Sequence, residues 1–181
     1  METLKKFVVI GPESTGKSTL CALLADNYHS AWVPEYAREY LNKNGTAYSY
    51  EDLLTIAKGQ IAGETSFEKQ VAILQPPLLF CDTDLYVMKV WSEFVFNKCH
   101  NWILNQIAER KYDGYLLCDV DVPWVKDELR EYPDLATRNK LFYFYKDLMV
   151  NQSTPWVTIS GDFDHRLESA RQFIDGVIAK K

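Results

Sequence analysis

The stretch Gly11-Pro12-Glu13-Ser14-Thr15-Gly16-Lys17-Ser18 follows directly on the apolar run Lys6-Phe7-Val8-Val9-Ile10. It fits G-x-x-x-x-G-K-[ST] at every fixed position, with a strand expected before it and a helix after. Glycines let the backbone turn so that successive N–H groups point inward at phosphate oxygens. A helix starting near Lys17 adds the positive end of its dipole. Gly11, Ser14, Thr15, Gly16, Lys17, Ser18 and Thr19 are therefore the expected phosphate contacts, with Lys17 on the β- and γ-phosphates and Ser18 on Mg²⁺. Glu13 brings a carboxylate into a cradle where negative charge is unwelcome. Its side chain is expected to point away and bond backbone or a neighbouring loop.

Four more short apolar runs stand out: 31–33, 77–82, 114–119 and 156–160. They lack strict alternation, as strands buried on both faces do. Each is followed by a stretch with helical spacing. The expected helices cover 18–28, 35–43, 50–74, 134–151 and 164–180, and the region 84–111 is apolar early and polar later. Asn44-Gly45 stops the second helix, and Pro76-Pro77 prevents further helix before the third strand. Strands alternating with helices predict a three-layer α/β fold, a five-stranded parallel sheet covered on both faces. Trp91, Phe94 and Phe96 are expected to be core packing.

At 181 residues, one domain is expected, residues 1–181. An apolar fraction of 47% and a charged fraction of 25% belong to an ordinary globular chain. A net charge of -5 argues against a nucleic-acid partner. No apolar run approaches the ~20 residues of a membrane span, and no signal peptide is expected ahead of the first strand. Cys21, Cys81, Cys99 and Cys118 are widely spaced and read as buried free thiols, which suits a reducing cytoplasm. Composition leaves a homo-oligomer open.

In open α/β sheets, ligands bind beyond the carboxyl ends of the strands. Those ends carry Glu35 and Arg38, Asp82 and Asp84, Asp119, Asp121 and Trp124, and Asp162 and Arg166. Phosphoryl transfer to a hydroxyl needs a proton acceptor and an anchor for Mg²⁺. Asp82, after four apolar residues, is expected at the metal. Glu35 is the expected base, with Asp82 as alternate. Each of these acids has a second reading, as a helix cap at a strand-to-helix junction or as a member of a surface ion pair; that reading competes for Asp84 and is favoured for Asp121 and Asp162. Residues 122–140 form an expected lid in which Arg130 and Arg138 flank Pro133, close over the phosphates and exclude water. Tyr36, Tyr86 and Trp124 are candidates for an aromatic wall beside a flat acceptor ring. Glu35, Asp84 and Asp119 are candidates for its hydroxyls, with Tyr36 and Arg38 alongside.

"GPESTGKSTL", "VPEYAREYL", "CDTDLYV" and "DVDVPWVKDELR" occur in that order over nearly the whole chain. Together they resemble the ribosylnicotinamide kinase domain of bacterial NadR-type proteins. The resemblance implies a P-loop NTPase kinase fold and ATP–Mg²⁺ as donor. It implies nicotinamide riboside as the small-molecule acceptor, giving nicotinamide mononucleotide and ADP. The Pro34-Glu35 pair is also similar to deoxyribonucleoside kinases, where an acid there activates a 5′-hydroxyl. NadR-type proteins carry a further adenylyltransferase domain with an H-x-G-H or T-x-G-H motif. His29, His100 and His165 stand in no such motif, so a stand-alone kinase unit is expected. Two other functions stay open: a kinase of another nucleoside or nucleotide, and a nucleotide-dependent switch signalling to a protein partner.

Overall fold

The computed structural model describes residues 3–179. Five parallel strands form one sheet: β1 (Lys5–Ile10), β2 (Ala31–Val33), β3 (Leu78–Asp82), β4 (Gly114–Cys118) and β5 (Trp156–Ile159). Their order is β2-β3-β1-β4-β5. The helices are α1 (Lys17–Asn27), α2 (Tyr36–Asn44), α3 (Tyr50–Val71), α4 (Leu85–Phe96), α5 (Asn101–Glu109), α6 (Leu135–Val150) and α7 (Phe163–Ala179). The region 84–111 thus divides in two. Asn97 takes a left-handed conformation that ends α4, and His100 begins α5. The expected end of the last helix at Lys180 lies outside the described residues.

Period two along each strand divides the core between the two faces of the sheet. Phe7 and Val9 of β1, Leu78 and Phe80 of β3, and Leu116 and Cys118 of β4 pack with Leu20, Leu24, Ala170 and Ile174 of α1 and α7. Val8, Ile10, Leu79, Cys81, Tyr115 and Leu117 point the other way, onto Val87 and Val90 of α4 and Leu141, Phe142 and Tyr145 of α6. Both faces being covered explains the continuous apolar runs. A third cluster, with Leu53, Ile56, Met88 and Ile103, joins α2, α3, α4 and α5. Side-chain caps open three helices: Ser49 forms a capping box with Asp52, and Asp84 and Asp134 cap α4 and α6.

Strand order turns these elements into a site. The chain moves to one side of β1 for β3 and to the other for β4, so a crevice opens beyond the end of β1. The Gly-rich loop occupies it. Gly11 has φ 141°, and a Cβ there would lie 2.7 Å from the Cys118 carbonyl, so the loop approaches the end of β4 as only glycine can. Cys21, Cys81 and Cys118 are buried free thiols, as expected, and Cys99 is partly buried. No helix among the described residues is long and apolar enough to cross a membrane.

Candidate active site

A pocket of about 230 Å³ opens beyond the carboxyl edge of the sheet. Its floor is the loop Gly11–Ser18 with Thr19. Lys17 Nζ donates to the Pro12 carbonyl at 2.9 Å. Thr15 is buried and bonds the same carbonyl through its hydroxyl at 2.8 Å. Arg166, on α7, braces the loop from behind, donating to the Thr15 carbonyl (3.0 Å) and the Asp119 carbonyl (3.2 Å). Asp121 pairs with Arg166 and accepts the Gly161 N–H, so it ties the ends of β4 and β5 together instead of capping a helix. Asp162 does cap, receiving the His165 N–H.

The acids at β2 and β3 come together because these strands are neighbours. Val33 is in register with Cys81, so Asp82 and Glu35 follow side by side at adjacent strand ends. Asp82 is 1% exposed. Its Oδ2 accepts from Ser18 Oγ at 2.5 Å, while Oδ1 has no hydrogen-bond partner among the described residues. A buried carboxylate oxygen left open beside the motif serine is a fitting donor set for Mg²⁺. Burial raises the Asp82 carboxyl above the usual range; Lys17 and the Ser18 hydroxyl oppose it. Glu35 lines the pocket, whereas Asp82 lies behind Ser18. Burial, then the Asp82 charge, raises the Glu35 carboxyl, and Lys17 and Arg38 pull it down.

One side of the pocket is apolar. Val87, Val90, Trp91 and Phe94 of α4 and Leu141 and Tyr145 of α6 form it, with Tyr132 from the connection before α6. Tyr132 meets Phe94 edge to face at 5.4 Å. The core reading of Trp91 and Phe94 was incomplete, since both also face the cavity. Phe96 packs with the α2–α5 cluster as expected. Helical spacing looks the same for a core stripe and for a pocket wall, so Tyr132 and Tyr145 carried no separate signal.

The segment between β4 and α6, the expected lid, bonds to the Gly-rich loop through the N–H groups of Val125, Glu131 and Tyr132. Arg130 lines the pocket and donates to the Val125 carbonyl. Arg38 lines it from α2 and pairs with Asp127 of the lid at 3.0 Å. Arg138 departs from expectation. It belongs to α6, is 3% exposed, and donates to the Ser14 (3.2 Å) and Val122 (3.4 Å) carbonyls. It holds backbone and does not line the pocket. Burial lowers its pKa, opposed by the nearby Glu13 charge. Glu13 points away from the cradle, accepting the Tyr132 N–H (2.6 Å), the Glu131 N–H (2.9 Å) and the Trp124 indole N–H (3.4 Å).

Five expected acceptor contacts lie elsewhere. Tyr36 covers Gly59 of α3. Asp84 is 2% exposed, accepting the Tyr86 N–H (2.9 Å) and the Tyr115 hydroxyl (3.0 Å). It is a cap facing a second, small cavity, with Tyr86 at its side. Burial pushes the Asp84 carboxyl up to about 7, against the Tyr115 hydroxyl. Asp119 accepts its neighbour Val120 N–H at 2.7 Å. Trp124 is taken by Glu13.

Strand order, phosphate loop and buried strand-end acid together define a P-loop nucleotide-binding domain of the kinase-like kind, for which ATP is the implied nucleotide. Residues 6–166 match the AAA domain family, and the chain belongs to it. It is 28% identical over 171 residues, 90% of this chain, to the trifunctional NAD biosynthesis/regulator protein NadR of Escherichia coli (strain K12). It spans 40% of that relative's length. A crystal structure of NadR protein in complex with NR superposes with a TM-score of 0.79 at 21% identity, covering 98% of this chain and 51% of that one. Thymidylate kinase from Ehrlichia chaffeensis shares the fold at 15% identity and a TM-score of 0.65, over 93% of this chain and 98% of its own.

Proposed function

We propose that this chain transfers the γ-phosphoryl group of ATP to the 5′-hydroxyl of nicotinamide riboside, giving nicotinamide mononucleotide and ADP. The observation that carries the reading is the position of Glu35. It lines the same pocket as Lys17 and Ser18, between the phosphate loop and an apolar wall rich in aromatic rings. A switch that merely bound a nucleotide would need no second, aromatic half to its pocket. Relatives support the acceptor: the similar structure binds NR, and the curated relative is named for NAD biosynthesis.

The chemistry follows from the groups present. The loop amides and Lys17 hold the phosphates and offset their charge. Ser18 and Asp82 would hold Mg²⁺, which supplies Lewis-acid screening of the phosphate oxygens. The 5′-oxygen bonds to the γ-phosphorus as the bond to the β–γ bridging oxygen breaks and ADP leaves. Glu35 takes the hydroxyl proton. Burial and the Asp82 charge raise its pKa, which makes its ionised form a better acceptor than an ordinary carboxylate; Lys17 and Arg38 pull the other way. Arg130 meets the charge that spreads over the transferring group. The aromatic wall of Trp91, Phe94, Tyr132 and Tyr145 suits a flat, cationic ring.

Steady-state ADP release with ATP, Mg²⁺ and one acceptor at a time tests this reading. Strong stimulation by nicotinamide riboside is expected. Stimulation by another nucleoside or nucleotide alone would overturn the acceptor, and tight ATP binding without any acceptor effect would favour a switch.

A further inference from the structure

Glu13 is the residue of the phosphate loop for which nucleotide chemistry has no use. A carboxylate there repels the phosphates the loop must hold. The structure gives it another task. Its Oε2 accepts the Glu131 N–H and its Oε1 accepts the Tyr132 N–H. Two backbone donors meet two separate oxygens, a demand a carboxylate satisfies and an amide does not, since an amide offers one acceptor and turns an N–H toward the other donor.

Ser14, the next residue, repeats the pattern. Its hydroxyl accepts the Val125 N–H at 2.9 Å. Arg130 lies between these two anchors. Its guanidinium is bonded to the Val125 carbonyl, and the two residues that follow it in the chain are those held by Glu13. The lid arginine that lines the pocket is therefore fastened on both sides to the loop that holds the phosphates.

We propose that Glu13 is a positioning residue that locks the lid turn at Glu131 and Tyr132 to the phosphate loop. It thereby holds Arg130 over the transferring group and Tyr132 in the acceptor wall. Donor and acceptor halves of the pocket then share one hinge point. Lid closure is complete only when the phosphate loop has the shape that binds nucleotide. The effect on rate rests on the phosphoryl-transfer reading above; the lock itself does not.

The test combines hydrogen exchange with a double-mutant cycle on the full chain. In Glu13→Gln, amide exchange at Glu131 and Tyr132 is expected to rise about tenfold or more, with exchange in β1 and β4 unchanged. Under the kinase assay, kcat is expected to fall about 10- to 100-fold with the KM for ATP nearly constant, the pattern of a misplaced group. In an Arg130→Ala background the same change is expected to cost less than about threefold, because its effect passes through Arg130. Unchanged exchange at Glu131 and Tyr132 would overturn the lock. Equal losses in both backgrounds would overturn positioning through Arg130. Should Glu13→Gln melt below assay temperature, Glu13→Asp takes its place: its carboxylate falls one methylene short of the Glu131 and Tyr132 N–H groups, so the same rise in exchange is expected and unchanged exchange again overturns the lock. A wild-type chain that forms no ADP with any acceptor removes the transfer reading, while the exchange arm still decides the lock.

Discussion

Ser18 Oγ donates to Asp82 Oδ2 across 2.5 Å, joining the first turn of α1 to the last residue of β3. The other carboxylate oxygen is buried and unpartnered among the described residues. An orphan of that kind destabilises the free protein and is kept where function needs it. Burial also disfavours the Asp82 charge, and Asp82→Asn removes it, so the variant is expected to raise the melting temperature of the nucleotide-free chain, by the equivalent of about 1 kcal/mol. The same change should cut transfer about 100-fold or more. Calorimetry and ADP release on one preparation check both; a variant with wild-type turnover removes Asp82 from the machinery.

Glu35→Gln keeps the shape of the pocket and removes the proposed proton acceptor. The rate of transfer is expected to fall about 10²- to 10⁴-fold, with ATP affinity retained by the loop. The pH dependence carries a sign. Only ionised Glu35 accepts a proton, and burial and Asp82 raise its pKa. The acid limb of kcat/KM should therefore lie above the ordinary carboxylate range and vanish in Glu35→Gln. A limb that survives the substitution belongs to another group.

Asp84 predicts a stability effect apart from catalysis. Its carboxyl is pushed up to about 7 by burial, from an ordinary 3.8. Between these values the folded chain binds a proton that the unfolded chain has released, so this group's contribution is full below about pH 4 and is lost as pH rises toward 7. Asp84→Asn removes the titration while keeping a cap. Relative to that variant, the wild type should lose stability from pH 4 to 7, by up to about 4 kcal/mol at 1.36 kcal/mol per pKa unit. Urea midpoints across this range measure the difference, and parallel curves would refute it.

Gly59 predicts a packing effect with a functional echo. A Cβ on this residue of α3 would lie 2.0 Å from Tyr36 Cε1. The ring is carried by Tyr36, the residue after Glu35 and the first of α2. Gly59→Ala gains helix propensity yet is expected to destabilise by about 1–3 kcal/mol through overpacking. Activity should fall along with it, because Glu35 moves too. A variant at least as stable as wild type would show that the ring moves freely.

Legibility followed the range of the interactions involved. The phosphate loop and the five strands are set by neighbours in sequence, and they were read there; the caps at Ser49 and Asp134 are just as local but were not singled out. Asp84 had two readings because a capping acid and a substrate-binding acid occupy the same strand-to-helix junction; the Tyr115 hydroxyl, 31 residues away, decides for the cap. Arg138 had the right position in the chain for a lid cation, but the start of α6 at Leu135 turns it inward onto the Ser14 carbonyl. Trp91, Phe94, Tyr132 and Tyr145 meet only when α4, the lid and α6 pack. No local pattern separates them from core.

The proposed transfer of a phosphoryl group from the loop to a nucleoside held against that aromatic wall leaves a phosphorylated nucleoside as its product. Mass analysis of products formed from ATP, Mg²⁺ and nicotinamide riboside tests it most directly, with Glu35→Gln in parallel. Nicotinamide mononucleotide in equal amount to ADP is expected, with a large loss of both in the variant. ADP formed without phosphorylated nucleoside, or product formed equally well by Glu35→Gln, would contradict it.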